Sequence, residues 1–220
     1  MDRRCQGSGA IALQCWGSMT IEVEILKLPQ AADQWYLVNS FMELRNRTFI
    51  GRKKWSLVVH KEIEFEQYDT ATYPYYVVAH RDGVAVAGCR LIRCDQQLGS
   101  LRNGFGYTYM INDAYHGRID LPSDMCYEAP PITPDHWELT RLCAEKGHRN
   151  EVLSVMRKTY DFLAEEGAVG CLCLASPAVR RIANISGYDT IDIGPMVGAE
   201  DEEKFLAFKI PIVPRVMIAE

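Results

Sequence analysis

The chain has no apolar run approaching the roughly 18 to 20 residues that a helix needs to cross a bilayer, so no stretch is suited to span a membrane in that form. It lacks the paired C-x-x-C spacing of zinc sites. Its eight cysteines (Cys5, Cys15, Cys89, Cys94, Cys126, Cys143, Cys171 and Cys173) are also too scattered, in a chain of 220 residues, to read as a disulfide framework. Reduced thiols in a cytoplasm are the simpler expectation. The histidines His60, His80, His116, His136 and His148 show no metal-ligand spacing, so no metal is expected, and Ser154 has no nucleophile elbow around it. Basic charge is not in excess: 24 Lys and Arg against 29 Asp and Glu leave a net charge of −5. With a pI near 5.6, that balance argues against a general nucleic-acid binder, while a local basic patch can still meet an acidic partner. There is no internal repeat and no interior linker.

What is present, at 48% hydrophobic and 24% charged, suffices to bury the core of one domain. Residues 1–18 read as a disordered leader or start-site extension and residues 19–220 as the domain, opening on a strand over 20–25. Residues 31–47 carry Trp35, Leu37, Val38, Phe41, Met42 and Leu44 at a helical period, with Arg45 near the end. Residues 52–72 read as a long ordered loop. The clearest hairpin joins strands over 75–79 and 84–92 through Asp82-Gly83.

Residues 95–134, rich in Gly, Asn, Asp and Pro, read as a loop-rich insertion, and 137–143 as a strand. Residues 150–166 form the best helix, stopped by Gly167, and 169–174 a buried strand on which Cys171 and Cys173 share a face. Ser176 and Pro177 open a short helix reaching 185, and 205–210 supplies a last strand. That order predicts an α/β fold, a three-layer sandwich with a mixed sheet and helices on both faces.

Against this frame stand isolated charged and aromatic residues: Leu44-Arg-Asn-Arg-Thr-Phe49, Trp55, Glu66-Gln-Tyr-Asp69, Arg90 and Trp137-Glu-Leu-Thr-Arg141. Charges set among apolar segments must be solvated, paired or employed. In order and spacing the set resembles the LuxI-type acyl-homoserine lactone synthases, over about residues 20–212. The resemblance implies a GNAT-like α/β/α sandwich and an enzyme that joins a thioester-borne acyl group to the amine of S-adenosylmethionine. Lactone closure and release of methylthioadenosine would follow, giving a diffusible quorum-sensing signal. No cofactor is implied, S-adenosylmethionine being a substrate; the acyl donor is an acyl carrier protein or acyl-coenzyme A.

The resemblance associates Arg45, Phe49, Trp55, Glu66, Asp69 and Tyr115 with S-adenosylmethionine, and Glu138, Arg141 and Arg90 with catalysis. The chemistry agrees: a sulfonium and an ammonium need carboxylates in a partly desolvated place, and a substrate carboxylate needs guanidinium donors. Glu138 is the best candidate for a base. Trp55 has no acid-base role and closes over a ligand or packs its loop. Two positions depart from the family, Glu66 where Asp is usual and Tyr115 where Phe is. The family's acyl slot falls on residues 170–174, with Met156, Cys173, Ile182 and Thr140. Arg149, Arg157, Lys158, Arg180 and Arg181 would suit an acidic carrier protein or coenzyme A phosphates if they share a surface.

Plainer readings exist for each residue. Arg45 can be solvated or pair with a helix dipole, Glu66 and Asp69 can be surface charges, and Arg90 can form a structural salt bridge with Glu138. The competing functions are another GNAT-like acyl-coenzyme A N-acyltransferase and a non-catalytic binder of acyl thioesters. The first usually cradles pyrophosphate on a Gly-rich turn, whereas residues 145–150 hold only Gly147.

Overall fold

The computed structural model describes residues 20–97, 99, 106–198 and 203–213; the leader assigned to 1–18 lies outside them. Strand β1 (Glu22–Leu26) leads through a 3-10 turn into helix α1 (Trp35–Arg45). The apolar residues that set its period, Leu37, Val38, Phe41, Met42 and Leu44, are buried. At Arg45 the helix widens into a π-helical turn, Asn46–Arg52. Its bonds span five residues, as in Lys53 N–H to the Thr48 carbonyl at 3.0 Å. Such turns in place of regular helix often mark functional sites.

The segment expected to be loop holds a small hairpin, β2 (Val59–His60) with β3 (Ile63–Glu64). Strands β4 (Tyr75–Arg81) and β5 (Val84–Arg93) form the expected long hairpin. Its turn residues Asp82 and Gly83 have φ of 51° and 81°, the doubly left-handed pattern whose twist matches the flanking strands. Helix α2 (Met110–Tyr115), strand β6 (His136–Ala144), helix α3 (Arg149–Glu165), strand β7 (Gly170–Ala175) and helix α4 (Pro177–Ile185) follow. Ser176 stands at the N-cap of α4, as its sequence suggests, but its side chain makes no capping bond there. Strands β8 (Ile191–Val197) and β9 (Phe205–Pro211) close the chain. Of these, β8 was not legible in sequence, since it lies at an edge with only one residue buried.

The main sheet runs β1-β4-β5-β6-β7-β9-β8. Its strands pair antiparallel except β6 with β7. One face packs Trp137, Leu139, Cys171, Cys173 and Phe208 with Val155, Met156 and Leu163 of α3 and Ala183 of α4. The other face packs on α1 through Val78 and Ala85, and on α2 through Ile92, Leu172 and Ala207. The expected mixed sheet with helices on both faces is therefore what the chain forms.

Two irregularities shape the middle of the sheet. Strands β6 and β7 pair only over His136–Leu139 and Gly170–Cys173, although β6 continues to Ala144 beside β5. From Thr140 onward the parallel strands therefore part. Opposite this split, the β5–β6 register slips between Gly88 and Arg90, which accommodates Arg141 in a left-handed conformation with φ of 57°.

Helix α1 approaches β5 so closely that a Cβ on Gly88 would lie 2.7 Å from the Phe41 ring and 2.8 Å from the Val77 carbonyl oxygen. The ring can shift but the backbone oxygen cannot. We expect Gly88→Ala to cost about 1–3 kcal/mol by overpacking, read as a lower midpoint in denaturant unfolding; an unchanged midpoint would show that α1 sits less tightly than described.

Candidate active site

Six charged side chains meet on the α1 face of the sheet, and five elements deliver them. Arg45 comes from the end of α1 and Glu64 from β3. Glu66 and Asp69 come from the loop after β3, Arg90 from β5 and Arg141 from β6. The Arg45 guanidinium donates to both oxygens of Asp69 at 2.8 Å and through Nε to Glu64. Arg90 donates to Asp69 at 3.0 Å, to Glu66 at 2.5 Å and to the Thr140 hydroxyl at 3.2 Å. Arg141 donates from one nitrogen to Glu66 at 2.5 Å and Glu64 at 3.2 Å. The Tyr76 hydroxyl and the Glu66 amide also donate to Asp69, at 3.1 and 3.0 Å.

Three guanidiniums face three carboxylates, so the cluster is formally neutral. Arg45, Glu64, Asp69 and Arg90 are buried, where an unpaired charge would be costly. Burial opposes ionisation of Asp69, but Arg90 and Arg45 outweigh it and hold the carboxyl well below the usual range. For Glu66, burial is likewise outweighed, by Arg90 and Arg141. Burial would also lower Arg45 and Arg90, yet the facing acids raise both.

Glu138, near the start of β6, is fully buried beside this cluster and governed differently. Its oxygens accept the Met110 and Ile111 amides, at 3.0 and 2.7 Å, from the first turn of α2. Burial raises its pKa to about 7, while those two amides and Arg90 pull the other way. The structural Arg90–Glu138 salt bridge considered from sequence is not what forms, because Arg90 spends its donors on Asp69, Glu66 and Thr140. A carboxyl poised near neutrality, next to ionised acids, has the properties of a general base.

Aromatic rings wall the cluster. Phe49 stacks on Trp55 with centroids 4.9 Å apart, and the Arg141 guanidinium lies 5.6 Å from the Phe49 ring. Trp55 meets Phe205 edge-on at 5.7 Å, and its indole N–H donates to Glu203 at 3.2 Å, as does Lys53. Tyr68 lies beneath Arg90 at 5.4 Å.

The fold thus brings Arg45, Phe49, Trp55, Glu66, Asp69, Arg90, Glu138 and Arg141 into one neighbourhood. Sequence reading missed Glu64. The signal was the alternation Glu64-Phe65-Glu66, which on an extended segment turns both acids one way; Phe65 is 44% exposed while Glu64 is buried. Tyr115 is not part of the cluster: it ends α2 and meets His116 edge-on at 5.3 Å.

The residues expected at the acyl slot fall on both faces of the sheet. An apolar void of about 20 Å³ lies on the α3 face, lined by Leu139, Met156, Tyr160, Leu163, Cys171 and Tyr188 among others. Met156 alone of the four expected residues lines it. Thr140 lies across the sheet from it, since strand alternation turns it to the ionic face, where it accepts from Arg90. Cys173 and Ile182 pack in the same core without lining the void.

Arg149, Arg157, Lys158 and Arg181 are exposed, whereas Arg180 forms an ion pair with Asp192 at 2.8 Å. Among the described residues, Glu22, Glu24 and His80 bring ligand-type atoms within 4.8 Å of one another at the edge of the sheet, a grouping that spacing in sequence did not show.

The pKa shifts fix a pH dependence of stability. Depressed carboxyls such as Asp69 and Glu66 contribute stability present above the unfolded value and lost as pH falls below the ordinary carboxylate range. Glu138, raised to about 7, contributes stability present below its unfolded value and lost as pH rises toward and through neutrality. Chemical denaturation across pH should show both limbs, and Glu138→Gln should flatten only the neutral one; an unaltered neutral limb would contradict the assignment.

With the geometry in place, comparison with known proteins is direct. Residues 33–214 match the autoinducer synthase family model. An acyl-homoserine-lactone synthase of Aeromonas salmonicida is 27% identical over 158 residues, 68% of this chain and 67% of its own length. One from Pseudomonas chlororaphis is 24% identical over 169 residues, 76% of each. Among solved structures, the AHL synthase LasI superposes with a TM-score of 0.66 at 22% identity, covering 88% of this chain and 90% of its own. The coenzyme A-dependent synthase BjaI gives 0.71 at 15%, covering 88% and 84%. A putative N-acetyltransferase from Lactobacillus plantarum gives 0.52 at 13%, covering 87% and 98%, so the architecture is GNAT-like. The family match spans most of the sequence and takes in every member of the buried ion cluster, and the chain belongs to the autoinducer synthases.

Proposed function

We propose that this protein makes an N-acyl-L-homoserine lactone from S-adenosylmethionine and an acyl thioester, releasing methylthioadenosine. The observation that carries the reading is the neutral, buried set of three arginines and three carboxylates beside a separately held Glu138. S-adenosylmethionine carries two cationic groups and one carboxylate, and a preformed set of both signs can exchange internal partners for those of the substrate. In that exchange Glu66 and Asp69 face the sulfonium and ammonium, and an arginine takes the carboxylate. Arg141 has a spare donor, since its buried Nε finds no partner. Trp55 and Phe49 supply a flat apolar wall beside it.

Glu138 accepts the ammonium proton, directly or through water. The freed amine attacks the thioester carbonyl, an amide bond forms, and the thiol leaves with a proton. The substrate carboxylate then displaces the sulfonium at the γ-carbon, closing the lactone as the carbon–sulfur bond breaks. The split between β6 and β7 is the natural entry for the thioester. It opens at Leu139 and Cys173, and Leu139 also borders the α3-face void. An acyl group entering from the ionic face would therefore direct its tail toward the α3 core, which must part to admit it, since the void of about 20 Å³ holds little more than one water. BjaI has been crystallised with SAM and isopentyl-CoA, and TofI with an inhibitor and MTA; both share this fold and support the pairing of substrates.

The donor side is read more coarsely. Exposed Arg149, Arg157, Lys158 and Arg181 would meet an acidic carrier protein or the phosphates of coenzyme A, with Arg180 held back by Asp192. The reaction as drawn requires no cofactor beyond its two substrates. Six described cysteines are free and buried, and no described helix is long and apolar enough to cross a membrane; a cytoplasmic enzyme is consistent with both.

Purified protein incubated with S-adenosylmethionine and a panel of acyl-carrier-protein and acyl-coenzyme A donors should release methylthioadenosine and an acyl lactone, detected by mass. No product with any donor would sink the proposal. Glu138→Gln should lower kcat by about 10²-fold or more with S-adenosylmethionine still bound, which separates a catalyst from a mere binder of thioesters. Glu66→Ala and Arg90→Ala should each lose more than about tenfold in kcat/KM, equivalent to about 1.4 kcal/mol; wild-type rates would remove them from the site.

A further inference from the structure

Asp113 has no place in the mechanism above, yet it is fully buried and unusually well bonded. Its carboxylate accepts the Thr108 amide at 2.9 and 3.1 Å, the Thr108 hydroxyl at 2.9 Å and Arg118 at 3.0 Å. It also accepts the Tyr68 hydroxyl at 2.8 Å. These partners lie on two sides. Thr108 and Arg118 flank α2, the helix whose first amides hold Glu138. Tyr68 lies between Glu66 and Asp69, and its ring supports Arg90.

We propose that Asp113 is a positioning residue that couples the two halves of the site, tying the loop of Glu66 and Asp69 to the helix that holds the Glu138 carboxyl. The inference rests on the synthase reading for its kinetic consequences but on geometry alone for the linkage. Tyr68 cannot move without disturbing Asp113, and Asp113 cannot move without releasing the turn at Thr108 that aims the Met110 and Ile111 amides. Substrate engaging Glu66 and Asp69 would thereby be felt at the base. A chain of bonded groups with two ends is the physical form such coupling takes.

The groups facing Glu138 define what a titration would report. Arg90 is the cation and Glu66 the anion that act on it. Tyr68 and Tyr109 approach it with hydroxyls that burial holds neutral. The thiols of Cys94, Cys126 and Cys171 approach it too, and burial keeps the first two protonated; for Cys171 the contact with Cys173 does so first, then burial. None of these five changes charge near neutrality, so movement of the Glu138 carboxyl there reports its two amide donors together with the placement of Arg90 and Glu66.

The experiment compares wild type with Tyr68→Phe and Asp113→Asn. Titration of the Glu138 carboxyl is followed by isotope-edited infrared spectroscopy on free enzyme, which needs no turnover, with Glu138→Gln identifying the band. The KM for S-adenosylmethionine and the pH profile of kcat are read in parallel. Loosened amide donors leave burial less opposed, so the Glu138 titration and the acidic limb of kcat should both move up, by about one pH unit in Asp113→Asn and less in Tyr68→Phe. The KM should rise about two- to tenfold in both variants. If Asp113→Asn does not fold, Tyr68→Phe decides, since it leaves Asp113 with its remaining donors. A carboxyl titration that stays put, or that moves without any change in KM, would overturn the coupling. Absence of turnover in wild type would instead overturn the synthase reading, with the titration still legible.

Discussion

Six charged side chains cannot be taken out of water cheaply, and the architecture around the site follows from the need to pair them. Arg45 lies at the end of a helix whose other buried residues are apolar, and a fully buried guanidinium there is tolerable only because Asp69 meets it with both oxygens and Glu64 meets its Nε. Arg90 sits in the centre of the sheet under the same constraint. Removing any one member would leave its partner charged and enclosed, which costs far more than an exposed ion pair is worth. The requirement holds the loop after β3 in place together with its buried Tyr68, and the π-helical turn after Arg45 carries Phe49 to the edge of the cluster, where Trp55 stacks on it.

A set of charges that is balanced internally is also a set prepared for a ligand of mixed sign. A site with carboxylates alone would bind a sulfonium but would have to be held open against its own repulsion. Here the arginines serve as internal counter-ions, and in the function proposed above substrate would take their place without leaving a group unpaired. Glu138 is kept out of this exchange by a different device. Backbone amides hold it in place without supplying a full counter-charge, so burial dominates and its proton is retained to near neutrality. Acids that lie close in space are thereby driven to opposite ionisation by their partners, with Glu66 and Asp69 held charged and Glu138 keeping its proton to near neutrality.

Much of this is legible in the amino-acid sequence. The helical period of residues 31–47, the Asp82-Gly83 turn and the apolar face of α3 are local signals, and each formed where it was expected. The cluster residues were legible as a list because charges in apolar surroundings are rare. What the list did not contain was Glu64, whose neighbours gave only a two-residue alternation, and Asp113, which sits in a loop-rich stretch where acids are common. The residues expected at the acyl slot were grouped without regard to alternation. Leu139 and Thr140 are adjacent in sequence and face opposite sides of the sheet, one toward the void and the other toward Arg90.

Sequence by itself determined the order of the main elements apart from β2, β3 and β8, the two-sided burial of the central strands and the identity of most charged residues that had to find partners, because periodicity and charge are properties of short segments. Only the tertiary structure decided which acid meets which arginine, and that Arg90 bonds to Asp69 and Glu66 while Glu138 is left to the amides of α2. Only it decided that β6 and β7 part at Thr140. Those choices rest on distances between residues far apart along the chain, set by the register of the sheet and by the free energy of enclosing charge. No local pattern encodes them.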